Sequence, residues 1–215
     1  NGYLDDYAFI TDALLHLYEA TFDVHWFELA QEMMETTNTQ FWDDNDGGFF
    51  FTSADHEQLI VRSKNPYDNA IPSGNAMCVQ NLLRLSAFTG RSDYRDKADR
   101  ILSIFSDYMD KAPGGFGQLL CGLSWHLGQP REIAIIGTKD DDTTQAMLKT
   151  INTGFLPHKV VVLYDPVSDQ GRTTDVIPLL ADRPQVDGKT TVYVCENFAC
   201  RQPVTTAEEL AALLT

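Results

Sequence analysis

Hydrophobic periodicity changes at Pro130, and the change divides the chain into two kinds of structure. From Tyr3 to Leu127 the apolar residues recur at helical spacing, one stripe every three or four positions. Ala8, Leu14, Leu15, Leu17 and Tyr18 predict one helix, and Trp26, Phe27, Ala30, Met33 and Met34 a second. A third begins after Pro72-Ser73-Gly74-Asn75 and stops at Thr89-Gly90, a glycine stop signal. Asp93 to Tyr108 and Phe116 to Leu127 supply two more. Beyond Pro130 continuous apolar runs replace the stripe: Glu132 to Gly137 and Lys159 to Tyr164 predict buried strands, with a helix from Thr143 to Thr150 between them. That order predicts a right-handed βαβ unit with parallel pairing. A further strand is expected at Thr190 to Cys195 and a closing helix from Thr206 to Leu214. The expected class is mainly α, with helical hairpins over residues 1–129 and a small α/β (βαβ) subdomain over residues 130–215.

The helical part is interrupted by DGGFFFTSADHE, residues 46–57. Gly47-Gly48 lets the chain turn sharply, and Phe49-Phe50-Phe51-Thr52 with Leu59-Ile60-Val61 predict two short strands of a β-hairpin. Successive strand side chains point to opposite faces, so Phe49, Phe50 and Phe51 cannot all enter one core. One of them is expected to line a cleft or a neighbouring loop. The turn sets Asp55 and Glu57 beside His56, with Arg62 and Lys64 following. Two readings stand: an exposed turn solubilised by its acids, or a carboxylate and imidazole on the rim of a site.

Two more clusters carry chemistry. In Asn65 to Asn75, two prolines and a glycine stiffen the path, and Ser73 or Asn75 can cap the next helix. Capping does not account for Tyr67-Asp68-Asn69, whose aromatic ring, carboxylate and amide suit a hydroxyl-rich ligand. Asp5-Asp6 opens the chain's first helix. Adjacent carboxylates raise one another's pKa, as acid-base work requires, and acids in a first turn also favour the helix dipole. Trp42-Asp43-Asp44-Asn45-Asp46 lacks the spacing of a calcium loop and is expected to be a turn, so no metal is expected. Gly137 to Thr143 lacks a phosphate-loop pattern and holds three aspartates, which leaves helix capping and no nucleotide cofactor.

The formal charge is −15, from 31 acids against 16 bases. A field of that sign disfavours nucleic acid and anionic membrane surfaces as partners. The absence of an initiator Met, and a first segment that already resembles a helix approach, suggest a numbering that starts inside a longer protein. Four scattered cysteines, Cys78, Cys121, Cys195 and Cys200, do not make a disulfide-built fold; a reducing, cytoplasmic setting is expected, with Cys195 and Cys200 as free thiols. A disulfide between those two, with a redox role, is the alternative.

Gly2 to Ala8, Trp42 to Phe51, Asp55-His56-Glu57, Asp68 to Asn75 and the closing Tyr193 to Val204 together resemble the YyaL-like proteins, related to spermatogenesis-associated thioredoxin-domain proteins. The resemblance covers nearly the whole chain. It implies part of an (α/α)6 toroid, similar to sugar epimerases and six-hairpin glycosidases, with an N-terminal thioredoxin-like domain and the remaining toroid helices as partners outside this chain. It also implies a sugar ligand in an epimerase- or glycosidase-like cleft, with isomerase or hydrolase chemistry. His56, Asp68, Asp5 and Asp6 are the catalytic candidates, and Trp42, Phe50, Asp55, Arg62, Tyr67, Ser73 and Asn75 the substrate-binding ones. The rival is a non-catalytic scaffold for a thioredoxin-like partner domain.

Overall fold

A computed structural model describes residues 2–57, 60–169, 171–196 and 199–214. Leu59 of the expected return strand, and Asn197 and Phe198 between the last two cysteines, lie outside them. The chain divides into two compact units, Asn1–Ser86 with Arg91–Gly128, and Gln129–Thr215 with Ala87–Gly90.

In the first unit α1 (Leu4–Thr21) and α2 (Val24–Phe41) form a hairpin. Phe22 turns the chain in the left-handed region at φ 54°, its N–H returning to the Tyr18 carbonyl at 2.6 Å. Asp23 then caps α2 by accepting from the His25 N–H at 3.0 Å. Leu4, Ala8, Thr11, Leu15 and Tyr18 bury one face of α1, while Leu17 stays exposed. The helices α3 (Gly74–Thr89), α4 (Ser92–Lys111) and α5 (Gly117–Leu127) follow.

Helix α3 is buried on nearly every side from Gly74 to Leu85, which marks it as the central helix of this unit. Polar contacts fix it against α1. The Asn81 side-chain amide donates to the Ala8 carbonyl at 2.8 Å, and the buried Arg84 guanidinium meets Asp12 at 2.9 Å and Glu19 at 2.7 Å. A buried guanidinium is tolerable only when so paired. On its other side α3 meets α5 through Val79 and Gly122; a Cβ on Gly122 would lie 2.6 Å from Val79 Cγ1. Helix α4 buries Tyr94, Ala98, Ile101, Leu102, Phe105 and Met109 along one face.

The expected β-hairpin between α2 and α3 is not formed. Among the described residues of 42–73 no strand occurs, only an isolated bridge between Trp42 and Phe49. The reason lies in where the backbone groups go. The Phe50 and Ala54 N–H groups bond to the Phe41 and Gln40 carbonyls at 2.8 Å each, and Arg62 donates to Gln40 and Thr52. The loop therefore satisfies orphan carbonyls at the end of α2, while the Phe51 N–H bonds to the Ser63 carbonyl at 2.8 Å without a strand ladder forming.

The second unit contains β1 (Arg131–Ile136), α6 (Asp142–Thr153), β2 (Lys159–Tyr164), α7 (Arg172–Val176), β3 (Thr191–Glu196), β4 (Ala199–Cys200) and α8 (Ala207–Leu214). The sheet order is β2-β1-β3-β4 among the described residues. Strands β1 and β2 are parallel, as the two apolar runs flanking a helix require, whereas β3 joins the other edge of β1 antiparallel, making a mixed sheet. Asp141 caps α6 by accepting from the Thr143 N–H at 3.0 Å. Cys195 and Cys200 face each other across β3 and β4 and are joined by a disulfide, which corrects the expectation of two free thiols. The antiparallel register brings them opposite one another, a proximity that five residues of spacing alone does not imply. Cys78 and Cys121 are free.

Replacing a helical glycine by alanine ordinarily stabilises by about 0.5–1 kcal/mol, but at Gly122 the added methyl enters the Val79 side chain and overpacking costs about 1–3 kcal/mol. Gly122→Ala is therefore expected to lower the urea midpoint; an unchanged or raised midpoint would show that the α3–α5 contact is not tight.

Candidate functional site

The N-termini of α1, α3 and α5 meet along loop 42–73. At α1 the Leu4 N–H donates to the Phe51 carbonyl at 3.0 Å, and the Tyr3 N–H to Asp6 Oδ2 at 2.8 Å. Asp5 accepts a hydrogen bond from the Gly74 N–H, the first residue of α3. A side chain at Gly74 would collide with Asp5 and Leu4, so the close approach of the two helix starts depends on that glycine. Asp68 joins the next pair: Oδ1 accepts from the Ser73 N–H at 2.9 Å and Oδ2 from the Gln118 N–H of α5 at 2.8 Å. Ser73 is the cap of α3, its hydroxyl accepting from the Ala76 N–H at 3.2 Å.

The loop is held by Asn75. Its Oδ1 accepts from the Phe49 N–H at 2.8 Å and its Nδ2 donates to the Phe49 carbonyl at 2.9 Å, all within a fully buried pocket. The three phenylalanines diverge, as alternation requires. Phe49 is buried edge-on to Trp42, with ring centroids 5.0 Å apart. Phe50 lies under Arg62 at 4.2 Å and Lys64 at 4.8 Å. Phe51 stacks on Tyr3 at 4.8 Å, and Tyr3 in turn stacks on His56 at 5.3 Å. Ser53 donates to Asp55 at 2.5 Å and holds that carboxyl below its usual range. Trp42 also carries Lys97 over its ring at 4.0 Å. Asp43, at the start of the expected turn, accepts from the Asn45 and Asp46 N–H groups and pairs with Lys64 at 2.5 Å.

The candidate residues thus gather in three neighbourhoods on one loop. Asp6 and His56 flank Tyr3 at the start of α1. Asp5, Tyr67, Asp68, Ser73 and Asn75 surround the start of α3, where Tyr67 packs on Phe116 at 4.8 Å. Trp42, Phe50 and Arg62 lie against the end of α2. His56 Nε2 is buried with no hydrogen-bond partner among the described residues.

Electrostatics separates the carboxyls. Burial raises the pKa of Asp5; the Gly74 N–H opposes that, and the neighbouring Asp6 charge adds to it. Asp68 has both oxygens committed to backbone donors, which is the bonding of a structural brace. Three features escaped sequence reasoning: Tyr3 as an exposed ring stacked on His56, the Lys64 partner of Asp43, and an apolar groove of about 680 Å³ between α4 and α5 with the Asp99–His126 pair, 2.9 Å apart, on its wall. The spacing of Leu120, Leu123 and Leu127 is visible in the sequence, but whether a partner helix covers that stripe is not.

Residues 1–112, which hold α1 to α4 and the loop, match the model of glycosyl hydrolase family 76. Over 99% of its length the chain is 36% identical to spermatogenesis-associated protein 20 of Homo sapiens and 37% identical to the protein of that name in Mus musculus. It is 27% identical to an uncharacterized protein of Caenorhabditis elegans over 99% of its length and 28% of that relative. The chain spans 27% of the length of the human and mouse relatives.

Two outcomes are expected at this site. Asn75→Ala leaves the buried N–H and carbonyl of Phe49 unpaired, so it should destabilise the protein by about 2–4 kcal/mol in chemical denaturation; a loss below about 0.5 kcal/mol would mean the loop is held elsewhere. For Asp5 the folded pKa lies above the unfolded one, so its contribution to stability is complete below the unfolded carboxylate range and is lost as pH rises through the raised value. Asp5→Asn cannot ionise and should therefore gain stability over the wild type between about pH 3 and pH 7, whereas a constant difference would show that the carboxyl is not perturbed.

Proposed function

The chain belongs to glycosyl hydrolase family 76, and on that premise we propose that its helical unit binds and processes carbohydrate where the N-termini of α1 and α3 meet loop 42–73. Asp5 carries the reading. Its carboxyl is partly buried, raised in pKa, and placed beside a second carboxyl, that of the exposed Asp6. A carboxyl whose pKa is raised is the kind of group a general acid for glycosidic or epimerase chemistry needs, and an adjacent carboxylate supplies the base or nucleophile. The exposed rings of Tyr3 and Tyr67, each tied to that junction through its own backbone neighbours, offer apolar faces for a sugar ring. His56 stacks on the Tyr3 ring. The remaining toroid helices and the thioredoxin-like domain implied by the YyaL-like resemblance are the partners of this unit.

One observation favours a second reading, a scaffold without catalysis. Asp68, Ser73 and Asn75 spend their hydrogen-bonding capacity on backbone groups that shape the loop. Residues so engaged serve the fold whether or not a ligand is present.

A saccharide screen by calorimetry on the intact protein, followed by variants, separates the two. Tyr3→Ala and Tyr67→Ala should each weaken binding about tenfold, the size of one lost stacking contact. Asp5→Asn should retain binding and lose turnover by at least about a hundredfold. Absence of saturable binding to any mono- or disaccharide would leave the scaffold reading, and full activity in Asp5→Asn would remove Asp5 as the acid.

A further inference from the structure

The second unit carries a disulfide whose two sulfurs differ in access and share one cation. Cys195 lies in β3 and is fully buried, while Cys200, opposite it in the two-residue edge strand β4, is exposed. Arg183 Nη2 approaches both, at 3.2 Å from Cys200 Sγ and 3.6 Å from Cys195 Sγ. The guanidinium is held from its other end, Nη1 donating to the Ala181 carbonyl at 3.0 Å. Neither neutral sulfur of a disulfide needs a cation; a thiolate does.

We propose that Cys195–Cys200 is a thiol–disulfide exchange site that accepts electrons from a dithiol, with Arg183 positioned to stabilise the departing thiolate. The proposal does not depend on the carbohydrate reading. A thiolate of the dithiol attacks Cys200 Sγ, the sulfur that solvent can reach. The Cys195–Cys200 bond breaks, and its electron pair leaves on Cys195 Sγ as a thiolate beside Arg183. The second thiol of the dithiol loses its proton and attacks the dithiol's own sulfur in the mixed disulfide, releasing Cys200 as a thiolate. The dithiol is oxidised to a disulfide, the cysteine pair is reduced by two electrons, and the two protons it gave up protonate the new thiols. Exchange is faster when the leaving thiol has a lower pKa, and a neighbouring cation lowers it. Burial alone would push the Cys195 thiol the other way, so the guanidinium is what makes this sulfur a workable leaving group. Burial lowers the pKa of the Arg183 guanidinium, and the charges of Glu132, which is buried opposite Cys195 in the β1–β3 register, of Tyr193 and of Asp182 oppose that shift.

The test treats the native protein with dithiothreitol and follows maleimide labelling of Cys195 and Cys200 by peptide mass mapping, with circular dichroism as the check on folding. The wild-type bond should open without unfolding. Arg183→Met should slow opening about tenfold, and Arg183→Lys, which keeps the charge, should restore most of the rate. With glutathione, a monothiol, the adduct should sit on Cys200 and leave Cys195 free. Equal rates in wild type and Arg183→Met, an adduct on Cys195, reduction only on unfolding, or two free thiols in the air-isolated protein would each overturn the proposal.

Discussion

The path of loop 42–73 depends on one side chain, the buried amide of Asn75, which takes both backbone groups of Phe49. Phe49 follows two glycines in the left-handed region, φ 82° and 79°, and is fully buried, so neither its N–H nor its carbonyl can turn to water. With Phe49 fixed, the next two residues have no freedom of direction. Phe50 must lie under the Arg62 and Lys64 cations, and Phe51 must meet Tyr3. The loop then closes α2 and abuts α1, which is why a segment without strands is nonetheless well determined.

The same physics assigns different work to carboxyls that look alike in sequence. Asp68 lies between two helix starts and receives an N–H from each side, Ser73 and Gln118. With both oxygens so engaged, the group is committed to holding the fold. Asp5 receives one, from Gly74, against a larger cost of burial and beside another acid. In the second balance the carboxyl's pKa is raised. Asp43 is a third case, neutralised by Lys64 and used to close a turn.

In the sheet unit, β1 is buried along Glu132 to Ile136 and has a strand on both edges, β2 parallel and β3 antiparallel. Continuous apolar runs made β1 and β2 legible as buried strands, and the intervening helix made their parallel pairing legible. The edge pair β3–β4 was not, since a two-residue strand has no periodicity to detect. The disulfide there was open from sequence for the same reason: five residues of separation permit both pairing and divergence.

Glycines and caps show where local information ends. The stop at Gly90, the cap at Ser73 and the turn at Asp43 were readable because each acts on backbone within a few residues. The hairpin expected at Phe49 to Val61 was misread because its alternation has two solutions, pairing with a second strand or satisfying the end of α2, and the 26-residue reach to Asn75 selects the latter. The amino-acid sequence alone determined the helix stripes, the parallel strand pair and the overall acidity, all properties of spacing and composition. The tertiary structure decided which carboxyl is buried, which ring is exposed and which cysteines pair, because burial and charge proximity are set by residues brought together from distant parts of the chain.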